Sequence, residues 1–120
     1  MIPDRRPISL LEITSRLDLQ VINQTADLDS IIIHHIIASD LMSDVLVIGN
    51  EVNLLITSLA TDQSIRTASI MDMSGVIIVN GKEITENMKE LSKELGINLF
   101  SSDLTKYDAS CFLYDLQKGR

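Results

Sequence analysis

Apolar residues along this chain come in two alternating patterns. Short, nearly uninterrupted runs rich in Ile, Val and Leu occupy positions 31–37, 53–57, 76–79 and 97–100. Such runs suit strands covered on both faces of a sheet. Between them the apolar positions recur at helical spacing. Leu10, Leu11, Ile13 and Leu17 form one stripe, Leu41, Met42, Val45 and Leu46 a second, and Ile65, Ala68, Ile70 and Met71 a third. Met88, Leu91 and Leu95 form a fourth, and Ala109, Phe112, Leu113 and Leu116 are expected to face inward from a closing helix.

The residues between the runs agree with this division. Ser9 and Glu12 have capping-box spacing, and Ser39, Thr85 and Thr105 stand where helices should begin. Gly96 closes the helix that starts at Thr85, Gly75 is expected to end the helix over 62–73, and Gly49-Asn50 and Asn80-Gly81 are expected to turn the chain. A short strand at 19–22, with a turn-rich stretch after it at 23–29, suits a sheet edge, where it can pair antiparallel. Strands alternating with helices of this length predict an α/β fold, a three-layer α/β/α sandwich on a mostly parallel sheet of about five strands. One domain is expected over 1–120, with 1–7 as a flexible tail that includes a solvated Arg5 and Arg6.

Composition narrows the function mainly by exclusion. Ten Lys and Arg against 17 Asp and Glu give a formal charge of −7, and aromatic residues make up 3% of the chain. A nucleic-acid binder needs basic surface and stacking platforms, and an anionic membrane needs cations, so neither partner is expected. The basic start is succeeded by no apolar signal segment, and no run approaches the ~20 apolar residues of a membrane span. The single cysteine, Cys111, cannot form an internal disulfide and suits a reducing compartment, so a cytoplasmic location is expected.

In a parallel sheet the loops leaving the carboxyl ends of the strands share one edge. Open α/β sheets bind ligands there, and helix N-terminal amides point towards it. Here those loops carry Ser39, Asp40 and Ser43, then Thr57 and Ser58, then Asn80 and Gly81, and finally Ser101 and Ser102. These nine residues are the candidate ligand-binding set. Capping and turn formation account for any one of them alone; the convergence of four loops is what points to a shared pocket. The chain has no glycine-rich phosphate loop, no catalytic triad and no metal-ligand spacing, so no catalytic residue, metal or cofactor is assigned.

Other chemistry-bearing residues have plainer readings. His34 and His35 are adjacent, face opposite sides of a strand, and are expected to be partly buried sheet residues. Asp40 and Asp44 lie four apart and could together hold Mg²⁺ on a helix face, although acids near a helix start need no metal to explain them. Cys111, beside Ala109, Phe112 and Leu113, is expected to be a partly buried structural thiol. The run 31–37 and the Met71 and Met73 region are candidates for an apolar surface that a partner would cover.

The segment Ala38-Ser39-Asp40-Leu41-Met42-Ser43-Asp44-Val45-Leu46 resembles the signature of the DRTGG domain family. The order of the later segments is similar too: Leu55-Ile56-Thr57-Ser58, the helix into Met73-Ser74-Gly75-Val76-Ile77-Ile78-Val79-Asn80-Gly81-Lys82, and Gly96-Ile97-Asn98-Leu99-Phe100-Ser101-Ser102-Asp103. The resemblance covers about Ser9 to Leu116, nearly the whole chain. Departures are Asn80-Gly81 where the family often has Gly-Gly, Ile84 near a frequent Pro, and only Asp62 and Arg66 near the family's Asp-Arg-Thr. The resemblance implies a fold like the N-terminal domain of HPr kinase and a regulatory role beside CBS domains in pyrophosphatases or in long phosphotransacetylases. It also implies sensing of a nucleotide or other phosphorylated metabolite, with self-association as a homodimer. The alternative expectation is an interaction protein that homodimerises or docks on a partner enzyme without a small-molecule ligand. It supplies no catalytic residues.

Overall fold

The first helix forms where the capping signal places it. The Ser9 hydroxyl accepts the Glu12 amide at 3.1 Å, and α1 (Leu10–Leu17) begins there with Leu10, Ile13 and Leu17 buried. Glu12 does not complete a capping box, because its carboxylate meets the Arg6 guanidinium at 2.8 Å. The computed structural model describes residues 5–48 and 51–120, so the expected turn at Gly49-Asn50 lies outside the described residues.

In chain order the strands are β1 (Ile8–Ser9), β2 (Gln20–Asn23), β3 (Ile32–Ile33), β4 (Ile36–Ala38), β5 (Leu54–Thr57), β6 (Gly75–Ile78) and β7 (Asn98–Ser101). The remaining helices are α2 (Met42–Val45), α3 (Asp62–Ile70), α4 (Glu86–Leu95) and α5 (Lys106–Gln117). Five strands make the main sheet in the order β2-β7-β6-β5-β4. β4 to β7 run parallel, and β2 pairs antiparallel with β7 at one edge, in keeping with its sequence position.

Alternation along each central strand sends side chains to two cores. Leu54, Ile56, Ile77 and Phe100 pack with Leu10, Ile13, Ala109 and Leu113 of α1 and α5. Leu55, Val76, Ile78 and Leu99 pack with Met42, Val45, Ile65, Ala68, Met88 and Leu91 of α2, α3 and α4. Both faces are covered, which is why apolar residues occupy both alternating sets of positions in the strand runs. The result is the expected three-layer sandwich.

The run at 31–37 departs from expectation. It is broken into two strands: β3 pairs antiparallel with β1 outside the main sheet, and β4 takes the free edge beside β5. His34 and His35 sit exposed at the break rather than partly buried in a strand. The Asn53 side chain bridges the gap. Its Oδ1 accepts the His34 and His35 amides at 3.1 and 3.2 Å, and its Nδ2 donates to the Ile32 carbonyl at 2.9 Å. An edge strand has only one neighbour, so a kink here breaks few ladder bonds, and one side-chain amide satisfies the groups released. Asn53→Ala is expected to destabilise by about 1 kcal/mol, since water reaches this half-exposed site, with an unchanged urea m-value in equilibrium unfolding.

Smaller differences share one cause, the geometry of packing rather than local preference. Ile70 and Phe112, expected inside, are 73% and 43% exposed, at the C-terminal end of α3 and on the outer side of α5. Met71 and Met73 are buried, so they contribute to the core rather than to a surface. α3 ends earlier than expected, with Asp72 at φ 55, and Gly75 opens β6 instead of ending the helix. Arg6 is exposed and Arg5 half-buried, and both are tied to α5. The Arg6 amide donates to the Gln117 carbonyl at 2.8 Å, and the Arg5 guanidinium lies 5.6 Å from the Tyr114 ring centre.

Candidate functional site

The parallel run from β4 to β7 brings the four candidate loops to one edge. Asp40, in the loop after β4, is the hub of the first half of that edge. Thr57 ends β5, and Ser58 is the next residue. The Thr57 hydroxyl donates to Asp40 Oδ1 at 2.9 Å, and the Ser58 amide donates to the same oxygen at 2.7 Å. The Ser58 hydroxyl donates to Oδ2 at 2.6 Å, and the Lys106 ammonium reaches Oδ2 at 2.7 Å. Thr57 is fully buried, and its oxygen also accepts the Leu59 amide at 3.1 Å, which fixes its rotamer.

The electrostatics arise from these contacts. Partial burial alone would push the Asp40 carboxyl up. The Lys106 ammonium, then the Ser58 hydroxyl and amide and the Thr57 hydroxyl, outweigh it and hold the group well below the usual carboxylate range. Asp40 is therefore an ionised anchor joining two loops to the first turn of α5. Its side chain remains 43% exposed, and that of Lys106 34%, so the cradle is open to solvent.

Lys106 was not among the candidates. The one signal for it is its position: it is the first residue of α5, beside the cap Thr105, where the helix dipole disfavours a cation. A lysine placed there calls for an anionic partner.

The second half of the edge is held by the backbone. Asn80 and Gly81 both adopt left-handed conformations, at φ 67 and 63. The Asn80 amide donates to the Leu104 carbonyl at 2.8 Å, and the Gly81 amide to the Ser102 carbonyl at 2.9 Å. Among side-chain-bearing residues asparagine tolerates this conformation best, so Asn80 fits the turn. Ser102 is buried, and its hydroxyl accepts the Leu104 amide at 3.0 Å. The Ser101 hydroxyl reaches Gln20 at 3.3 Å.

Among the described residues, Ser39 and Ser43 make no hydrogen bond to the Asp40 carboxylate. The Ser39 hydroxyl accepts the Leu41 amide at 3.1 Å, but α2 begins only at Met42, so Ser39 is not its cap. Ser43 is exposed on α2. The later start of α2 also means that Asp40 and Asp44 do not share a helix face: only Asp44 is helical, and Asp40 is engaged by Lys106. Among the described residues no group of three or more His, Cys, Asp or Glu could hold a metal ion. Cys111 is exposed rather than structurally buried. Asp62 accepts from the Asn87 amide nitrogen at 2.6 Å, which ties α3 to α4.

Comparison with known proteins establishes the fold. No protein-family model matches the chain, and no curated protein matches it. Among solved structures it is similar to the CBS and DRTGG domains of the regulatory region of Clostridium perfringens pyrophosphatase, complexed there with the activator diadenosine tetraphosphate. The TM-score is 0.73 at 16% identity, over 92% of this chain. The chain spans 46% of that structure's length. It thus shares an α/β fold with part of that regulatory region. No helix among the described residues is long and apolar enough to cross a membrane.

Proposed function

We propose that this chain is a non-catalytic, cytoplasmic regulatory module of the DRTGG type. Its carboxyl edge takes the phosphate of a nucleotide or other phosphorylated metabolite. The observation that carries this reading is the cradle around Asp40. A backbone amide, two hydroxyls and an ammonium converge on one carboxylate. Those are the donors that a phosphate uses. In the absence of ligand the chain's own carboxylate fills the place, and a phosphate competes with it. Release of Asp40 frees the loop into α2 and unties the start of α5, which gives binding a structural output. The nucleotide activator of the structurally similar pyrophosphatase region supports a nucleotide as the first ligand to test.

Calorimetry and thermal shift with adenine and uridine nucleotides and with inorganic phosphate, each with and without Mg²⁺, test the proposal. Phosphate-bearing ligands are expected to stabilise the protein. Asp40→Ala is expected to bind inorganic phosphate more tightly than the wild type, because the internal competitor is gone, and Lys106→Gln more weakly. No stabilisation of either the wild type or Asp40→Ala by millimolar ligand would overturn the reading.

A second reading, self-association or docking on a partner enzyme, rests on exposed apolar residues around α2. Leu41, Leu46, Val47 and Ile48 are 59%, 44%, 81% and 44% exposed. Apolar surface clustered in this way marks interfaces. Val47→Glu is expected to shift the sedimentation profile towards monomer while changing stability by less than ~0.5 kcal/mol. A strict monomer for the wild-type chain at high micromolar concentration would remove the homodimer form of this reading.

A further inference from the structure

α5 leaves part of the sheet face beneath the edge strand β4 uncovered. The gap is a groove of about 560 Å³, within the ~300–1,000 Å³ of small-molecule sites. Ile36 and Ala38 of β4 and Ile56 of β5 form its floor, and Tyr107, Cys111 and Tyr114 of α5 line its wall. The three wall residues recur at helical spacing, so two aromatic rings flank the same apolar floor.

One end of the groove is cationic. The charged groups of Arg5, Lys118 and Arg120 lie 5.6, 5.9 and 5.7 Å from the Tyr114 ring centre. The acid lining the groove there, Asp115, faces Arg120 at 3.8 Å, and the Arg120 carbonyl is held by Arg16 at 3.0 Å. In a chain of net charge −7 this concentration of cations is unusual. Among the described residues, Arg5 Nε is the one buried side-chain polar atom without a hydrogen-bond partner. A buried donor left unpaired calls for an acceptor. At the other end the hydrogen bond with the neighbouring Cys111 pushes the Tyr107 hydroxyl above its usual range.

We propose that this groove is a second ligand site that takes a small aryl anion. Its ring lies on the Ile36, Ala38 and Ile56 floor between the tyrosines, and its carboxylate or phosphate is held by Arg5. Charge complementarity selects the anion, and the apolar floor selects the flat body. The site is separate from the carboxyl-edge cradle, since none of Asp40, Thr57, Ser58 or Lys106 lines it.

Cys111, the chain's one cysteine, reports occupancy directly. Its rate of alkylation by iodoacetamide is measured against increasing phenyl phosphate, benzoate, benzyl alcohol and inorganic phosphate. Phenyl phosphate and benzoate are expected to slow alkylation with half-saturation near or below ~1 mM. Arg5→Gln is expected to weaken that protection about ten-fold, the worth of one charge-assisted hydrogen bond. Ala38→Phe, which fills the floor, is expected to abolish it while the far-UV circular dichroism stays unchanged. The proposal is overturned by no protection at 10 mM (about ten times that half-saturation), by equal protection from inorganic phosphate or benzyl alcohol, or by full protection in a folded Arg5→Gln or Ala38→Phe protein.

Discussion

Asn98→Ala is expected to lower the unfolding free energy by about 3 kcal/mol, the largest effect of any polar substitution considered. Asn98 opens β7 and is only 2% exposed. Its Oδ1 accepts the Thr25 amide at 2.8 Å and the Thr25 hydroxyl at 3.2 Å, and its Nδ2 donates to the Ser74 carbonyl at 2.8 Å. One side chain thus joins the exit of β2, the start of β7 and the entry to β6. Alanine removes all three bonds. It leaves the Thr25 amide without its protein acceptor and opens a small void beside a central strand. For a domain of this size the loss corresponds to a fall of about 10 °C in Tm. Thermal and urea unfolding check it. A loss under about 1 kcal/mol would mean that water substitutes for the amide and that the junction is not a buried one.

Asp40→Ala is expected to cost about 2 kcal/mol at neutral pH, moderated by the exposure of the pair. The pH dependence distinguishes its cause. In the folded chain the carboxyl is held well below the usual range, while in the unfolded chain it titrates near 3.9. The stabilisation is fully present above the unfolded pKa and is lost as pH falls towards the folded one. The difference between wild type and Asp40→Ala is therefore expected to be flat above about pH 5 and to shrink steadily below about pH 4. Urea unfolding from pH 7 down to 3 measures it. A difference that stays constant over that range would mean that the carboxylate charge contributes nothing. A double-mutant cycle with Lys106→Met should return a coupling of ~0.5–1 kcal/mol, since both partners reach solvent.

Much of this fold was legible from local pattern. The caps Ser9, Thr85 and Thr105 each accept a first-turn amide, as their positions predict. Gly96 takes the left-handed closing conformation. The nearly uninterrupted apolar runs at β5 to β7 announce a sheet covered on both faces. The run at 31–37 misleads because β-branched residues favour strand without saying how many neighbours the strand will have. Its division depends on Asn53, which reaches back from the next strand.

The candidate site was legible in its residue types and its edge, but not in its focus. Asp40, Thr57 and Ser58 read locally as separate cap and turn residues, and the structure joins them around one carboxylate. Lys106 lies 66 residues from Asp40, a separation at which no local periodicity operates. The half-buried Arg5 is hidden for the same reason: a basic residue near the start of a chain reads as solvated until a helix from the other end packs beside it.

Element type, strand and helix alternation and layer order come from residue spacing and capping, because those interactions act within one or two turns of the chain. Three features needed the packed fold: the break in the first apolar run, the meeting of Asp40 with Lys106, and the groove left uncovered between β4 and α5. Each joins groups remote in sequence, and such contacts form only once both cores have fixed which helix lies over which strand.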